Sequence, residues 1–179
     1  MTTTTTEIDA PRDVVFAALA DPGTYPDWLV GARTIRSVDD EWPEEGAAFR
    51  HVIGVPPLVV PGSTTSTNVV PGRRLDLRAG MGPFGAAQVS FRLSDTATGG
   101  TRVDVDERFV AGPAGWTWRL ARPLVGALVW GRNAVSLDAL AGLVARRGRG
   151  RARWLEDGPT DGRQLDERQL DERPDEEHA

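Results

Sequence analysis

The stretch WGRNAVSLDALAGLV, Trp130 to Val144, decides the fold. Trp130, Asn133, Ala134, Leu137, Leu140, Ala141 and Val144 recur at three- and four-residue spacing and fall on one stripe, the pattern of a helix laid on a sheet. Helical periodicity reaches back to Trp116, with Pro123 expected to kink the helix or delay its start. The helix is decisive because of what precedes it.

Upstream the period is two. Segments Ala32 to Val38, Ala47 to Gly54, Leu58 to Val70, Arg74 to Ala79, Ala86 to Ser94 and Thr101 to Val110 alternate apolar and polar residues between turn signals, as half-buried strands do. In the fifth, Ala87, Val89, Phe91 and Leu93 share a face. In the sixth, Val103, Val105, Glu107 and Phe109 lie opposite Arg102, Asp104, Asp106 and Arg108. At the start of the chain, TTTTTEID reads as a strand rich in β-branched residues. Pro11 then opens a short helix carrying Val14, Val15, Ala18 and Leu19, and Tyr25 and Trp28 sit on a second short helical piece. The order is strand, two short helices, a run of antiparallel strands and one long helix. This predicts an α+β domain in which a curved sheet wraps the terminal helix and leaves a cavity between them.

The 179 residues suffice for one domain with a real core. The chain divides near Arg146: residues 1–146 are patterned, whereas 147–179 are charged, with a tandem QLDER at Gln164 to Arg173. That composition cannot offset its ordering entropy, so the segment is expected to be a disordered tail. The absence of Cys excludes thiol chemistry and thiolate metal sites. With two His in the whole chain, no metal site is expected. The start lacks the features of a secretory signal, so the cytoplasm is the expected compartment. The longest apolar run, Pro123 to Trp130, falls well short of the ~20 residues that span a bilayer, and no stable membrane insertion is expected. A net charge of -5 argues against a nucleic-acid-binding surface. There is no Walker loop and no GxGxxG, and GMGPFG at Gly80 to Gly85 reads as a turn, so no cofactor is implied.

The candidate chemistry centres on one histidine. His51 shares a strand face with Phe49 and Ile53, and Glu107 points inward from the last strand. A buried carboxylate needs a partner, and His51 is a candidate for it, which would give a general acid/base pair. Alternatively, both are polar groups that orient a ligand, or Glu107 sits at the sheet rim and meets an Arg or water. Asn133 lies on the helix stripe. Arg132 is expected on the opposite side, in a surface or ion-pair role. Ser63 to Asn68 is polar on both faces, which favours an edge strand over hydroxyls lining a pocket.

Together these features resemble the helix-grip fold of the START-like (SRPBCC) superfamily, in its polyketide cyclase/dehydrase and lipid-transport branch common in actinobacteria. The matching pieces are Ile8-Asp9-Ala10-Pro11 with Val14 and Phe16, YPDWLVGA (Tyr25 to Ala32) and FRHVIGVPPL (Phe49 to Leu58). PGRRLDLRA (Pro71 to Ala79), GGTRVDVDE (Gly99 to Glu107) and RNAVSLDAL (Arg132 to Leu140) complete them. The resemblance implies binding of a hydrophobic small molecule, lipid or polyketide-like, between sheet and helix. The expected lining is Tyr25, Trp28, Phe49, Ile53, Ala87, Val89, Phe91, Val105, Trp130, Asn133 and Leu137. Two other readings are a cyclase/dehydratase using His51 and Glu107, and an interaction module presenting Val125, Leu128 and Leu143. Oligomeric state is left open.

Overall fold

Periodicity of two becomes a single antiparallel sheet. The computed structural model describes residues 2–55, 57–80, 82, 85–111 and 122–157. Its strands are β1 (Thr2–Ile8), β2 (Ala32–Val38), β3 (Ala48–Val55), β4 (Leu58–Val70), β5 (Arg74–Gly80), β6 (Ala86–Asp95) and β7 (Thr101–Ala111), in the order β1-β7-β6-β5-β4-β3-β2. Neighbours from β2 to β7 follow one another in sequence, so tight turns set the register. At the β4–β5 turn Gly72 takes φ 70°, a conformation that costs a side-chain-bearing residue but not glycine. β1 closes the far edge against β7, where Thr3 and Thr5 donate side-chain hydrogen bonds to Asp106 and Asp104.

Between β1 and β2 the chain crosses the sheet through α1 (Arg12–Leu19), a 3₁₀ turn (Pro22–Thr24) and α2 (Tyr25–Trp28). Pro11 immediately precedes α1, where its missing N–H costs nothing. Asp21 accepts a hydrogen bond from Gly23 N–H and starts the 3₁₀ turn. The buried Thr24 hydroxyl meets the carbonyls of Ala18 and Asp21 and accepts from Trp28 Nε1, tying the three pieces into one unit.

The terminal helix α3 (Arg122–Asp157) packs on β1, α1 and α2. Pro123 falls in its first turn and kinks nothing. Its buried face consists of Val129, Asn133, Ser136, Leu137, Leu140, Leu143 and Val144. Leu137, Leu140, Leu143 and Val144 join Val15, Leu19, Phe49, Leu75, Phe91, Val103 and Val105 in one core. This is the helix-grip arrangement, with the curl of the sheet closing on the helix.

Three expectations are corrected. Trp130 is 54% exposed and lies off the buried face. Leu143, expected outside, is buried. The polar strand β4 is interior, flanked by β3 and β5, and its inward Thr64 lies on the cavity wall. The helix runs on past Arg146 to Asp157. Residues 158–179, half of the GMGPFG stretch, and 112–121, on which the expected helical period from Trp116 begins, lie outside the described residues.

Candidate functional site

The space between α3 and the curled sheet is a cavity of about 860 Å³ with its mouth included, of which about 80 Å³ can hold the centre of a water molecule. It is therefore narrow. Aromatic rings build one wall. Tyr25 packs edge-on against Trp28 and Phe49 at 5.0 and 5.2 Å between ring centres, and Phe49 against Trp42 at 4.8 Å. Edge-to-face packing fixes ring planes as well as burying area. Tyr25 OH donates to Leu19 O at 2.9 Å, so the hydroxyl is committed to the scaffold. Burial, reinforced by the Asp21 charge, pushes its pKa far up, and the ring stays neutral.

Of the residues expected to line the cavity, Tyr25, Trp28, Phe49, Ile53, Ala87, Val89, Phe91, Val105, Asn133 and Leu137 do so, together with His51 and Glu107. Trp130 does not. Thr64, Arg132, Ser136, Leu29, Ile35 and Leu77 also line it. Thr64 could have been found from the sequence. The two consecutive prolines at 56 and 57 signal a short hairpin in the sequence; β3 pairs with β4 with His51 opposite Gly62, and the inward residue two further along is Thr64.

His51 and Glu107 share the cavity but not each other. His51 Nε2 is 3.0 Å from Thr64 Oγ1, and the ring lies over Gly62, where an added Cβ would come 2.8 Å from His51 Cε1. A bare Cα at position 62 is what gives the imidazole its place. Burial pushes the His51 pKa below its ordinary 6.5, so the ring is neutral at pH 7.

Glu107 finds its partners on the helix. Its Oε2 accepts from Arg132 Nη2 at 2.6 Å and from Asn133 Nδ2 at 3.0 Å, and Asn133 Oδ1 accepts from Arg132 Nη2 at 2.8 Å. The expected His51–Glu107 pair is thus replaced by two separate clusters. β3 and β7 stand four places apart in the sheet, up to ~19 Å along its curve, and α3 brings Arg132 nearer to Glu107 than the sheet brings His51. Ser136 Oγ accepts Val30 N–H at 3.0 Å and pins the α2–β2 link to the helix.

On the opposite face of the sheet lies a charged ladder. Asp76, Ser90, Asp106 and Thr3 sit in register across β5, β6, β7 and β1. Both aspartates are buried under guanidinium groups, Asp76 by Arg74 and Asp106 by Arg92. Burial raises the Asp76 pKa, but hydrogen bonds from Arg74, Ser90 and Asn68, with the charge of Arg74, outweigh it and leave a net depression. Among the described residues no group of three or more potential metal ligands occurs, and no helix is long and apolar enough to cross a membrane.

A curved seven-stranded sheet closed by one long helix over a narrow, largely apolar cavity defines a helix-grip protein. The chain belongs to the polyketide cyclase/dehydrase and lipid transport family, whose model matches residues 1–145. Among solved structures it is similar to the Zhui aromatase/cyclase from Streptomyces sp. R1128, at 22% identity and a TM-score of 0.64, covering 81% of this chain and 93% of that one. It is similar also to protein NE0264 from Nitrosomonas europaea, at 20% identity and a TM-score of 0.62 over 82% and 95% of the two chains. The di-domain aromatase/cyclase StfQ of the steffimycin pathway gives 11% identity and a TM-score of 0.64, covering 82% of this chain and 50% of that one. At these identities the likeness establishes the fold. No curated relative matches the chain in sequence.

Proposed function

We propose that the protein binds a flat apolar or aromatic small molecule, lipid or polyketide-like, between sheet and terminal helix. The observation that carries this reading is the cavity itself: narrow, walled by Tyr25, Trp28, Phe49 and Phe91, and interrupted by only a few polar side chains. Burial of ligand surface supplies the affinity, at roughly 25 cal/mol per Å². A hydrophobic fluorescent probe is expected to bind with micromolar affinity. Ala87 lies on the wall with almost no exposed surface, so Ala87→Trp fills the space and abolishes binding. Unchanged probe affinity in that variant places the site elsewhere.

A second reading, ring closure with loss of water, is favoured by a neutral imidazole and a carboxylate on opposing walls. Aldol cyclisation needs a base to take a proton from carbon beside a carbonyl, and a donor to the departing hydroxyl. His51, neutral at pH 7, suits the first role and, once protonated, can return that proton to the departing hydroxyl, which leaves as water, while the Glu107–Arg132 cluster can polarise the carbonyl. Turnover of a linear poly-β-ketone thioester, followed by the absorbance of the aromatic product, tests it. His51→Phe should abolish turnover while the fluorescent probe still binds; turnover unchanged in that variant removes His51 from the chemistry.

A further inference from the structure

Two polar atoms in the cavity have no protein partner among the described residues. Glu107 Oε2 takes both hydrogen bonds from Arg132 and Asn133, and no donor meets Oε1. His51 Nε2 is engaged by Thr64, and nothing meets Nδ1. Neither is among the sealed, unpartnered polar atoms of the described residues, which are Thr4 Oγ1 and Ser66 Oγ, and both Glu107 and His51 line the cavity.

Buried polar atoms left without partners are costly, and a ligand that meets them gains what an unadorned hydrocarbon cannot. From these two atoms we propose that the site selects a neutral, flat ring compound with a hydroxyl at each end, one donating to Glu107 Oε1 and the other meeting His51 Nδ1, and that it rejects carboxylates. This deepens the binding function proposed above and rests on it.

The exclusion of carboxylates follows from charge. Among the described residues Arg132 is the cationic group lining the cavity, and its charge is neutralised by Glu107 across 2.6 Å. His51 is uncharged at pH 7, because burial holds its pKa low. A ligand carboxylate at this end would set its lone pairs against Glu107 Oε1 with no cation left to compensate. A phenol or alcohol there supplies the missing donor. At the other end a hydroxyl can donate to or accept from Nδ1, whichever tautomer Thr64 selects, so the histidine tolerates either polarity and the glutamate sets the rule.

A ligand series tests this on the full-length protein by competition with the fluorescent probe. The series is naphthalene, its monohydroxy derivative, its dihydroxy derivative with hydroxyls on opposite rings, and naphthoate. Affinity is expected to rise at each added hydroxyl, with naphthoate at least about tenfold weaker than the monohydroxy compound. Glu107→Gln keeps a carbonyl oxygen for Arg132 and Asn133 and turns an N–H toward the cavity, so the order of naphthoate and naphthol should invert. His51→Phe should erase only the gain from the second hydroxyl. Naphthoate binding as tightly as the diol, or naphthalene doing so, overturns the inference while leaving the binding function standing. Failure of every ring compound to displace the probe overturns the binding function instead. Should Glu107→Gln not fold, the wild-type series alone still decides.

Discussion

His51 shows how a side chain's surroundings rather than its type set its chemistry. Neighbouring carboxylate and burial act on an imidazole pKa in opposite directions. Glu107 is taken by Arg132, so burial decides the sign and the pKa falls below 6.5. Above pH 6.5 the ring is neutral in both folded and unfolded chains and contributes nothing to pH dependence. As pH drops below 6.5 the unfolded chain takes up the proton first, so stability declines toward the lower folded pKa. An NMR titration should give His51 a midpoint lower than that of His178, and Glu107→Gln should leave it where it is. A midpoint above 6.5 that falls on that substitution would restore the direct His51–Glu107 pair. Strand parity alone put both residues on the inner face, as the structure has them. The β3–β4 register points to Thr64 as the neighbour of His51, whereas the partner of Glu107 was not legible, because it depends on the rotation of the helix that carries Arg132.

That rotation is the main lesson at the scale of elements. The existence and packing role of α3 were readable from Trp130 to Val144, but its buried face is turned by about 60° from the apolar stripe, at ~100° per residue. The seam runs through Val129, Ser136 and Leu143, seven residues apart, and Ser136 disguises it. A serine reads as polar, yet this one is buried because its hydroxyl takes the Val30 N–H. Trp130, the largest apolar residue of the stretch, drew the reading toward the wrong side. β4 misled in the same way: its threonines and serines suggested an edge, whereas inward Thr64 serves His51 and outward Thr67 donates to Asp76 O. Two substitutions separate the faces. Leu137→Ala empties a buried contact and should cost roughly 2–5 kcal/mol in urea denaturation. Trp130→Ala should cost no more than about 0.5 kcal/mol, as exposed positions do. Equal costs would mean that the stripe read from the sequence, and not the seam, faces the core.

For the molecule as a whole, the two periodicities sufficed to specify a sheet gripping a helix, because each strand and the helix carries its own burial pattern. The limit of the folded unit is harder to read, since a helix can continue after its packing has ended. The last buried residue of α3 among those described is Val144; Ala145 to Arg149 are exposed although the backbone stays helical to Asp157. The one tie recorded past Val144 is the ion pair of Arg147 with Asp21, at 3.4 Å with both side chains about half exposed. Such a pair contributes little in water and less in salt. We therefore propose that the cooperative domain ends near Arg146 and that the helical extension beyond it adds length without stability. Deleting Gly148 to Ala179 should then shift the thermal midpoint by no more than about two degrees, since one kcal/mol moves the midpoint of a domain of this size by about that much. Ligand binding should survive unchanged, because every cavity residue precedes Val144. A broadened or non-cooperative melt after truncation would show that the segment packs on the sheet, and the folded unit would have to be extended to include it.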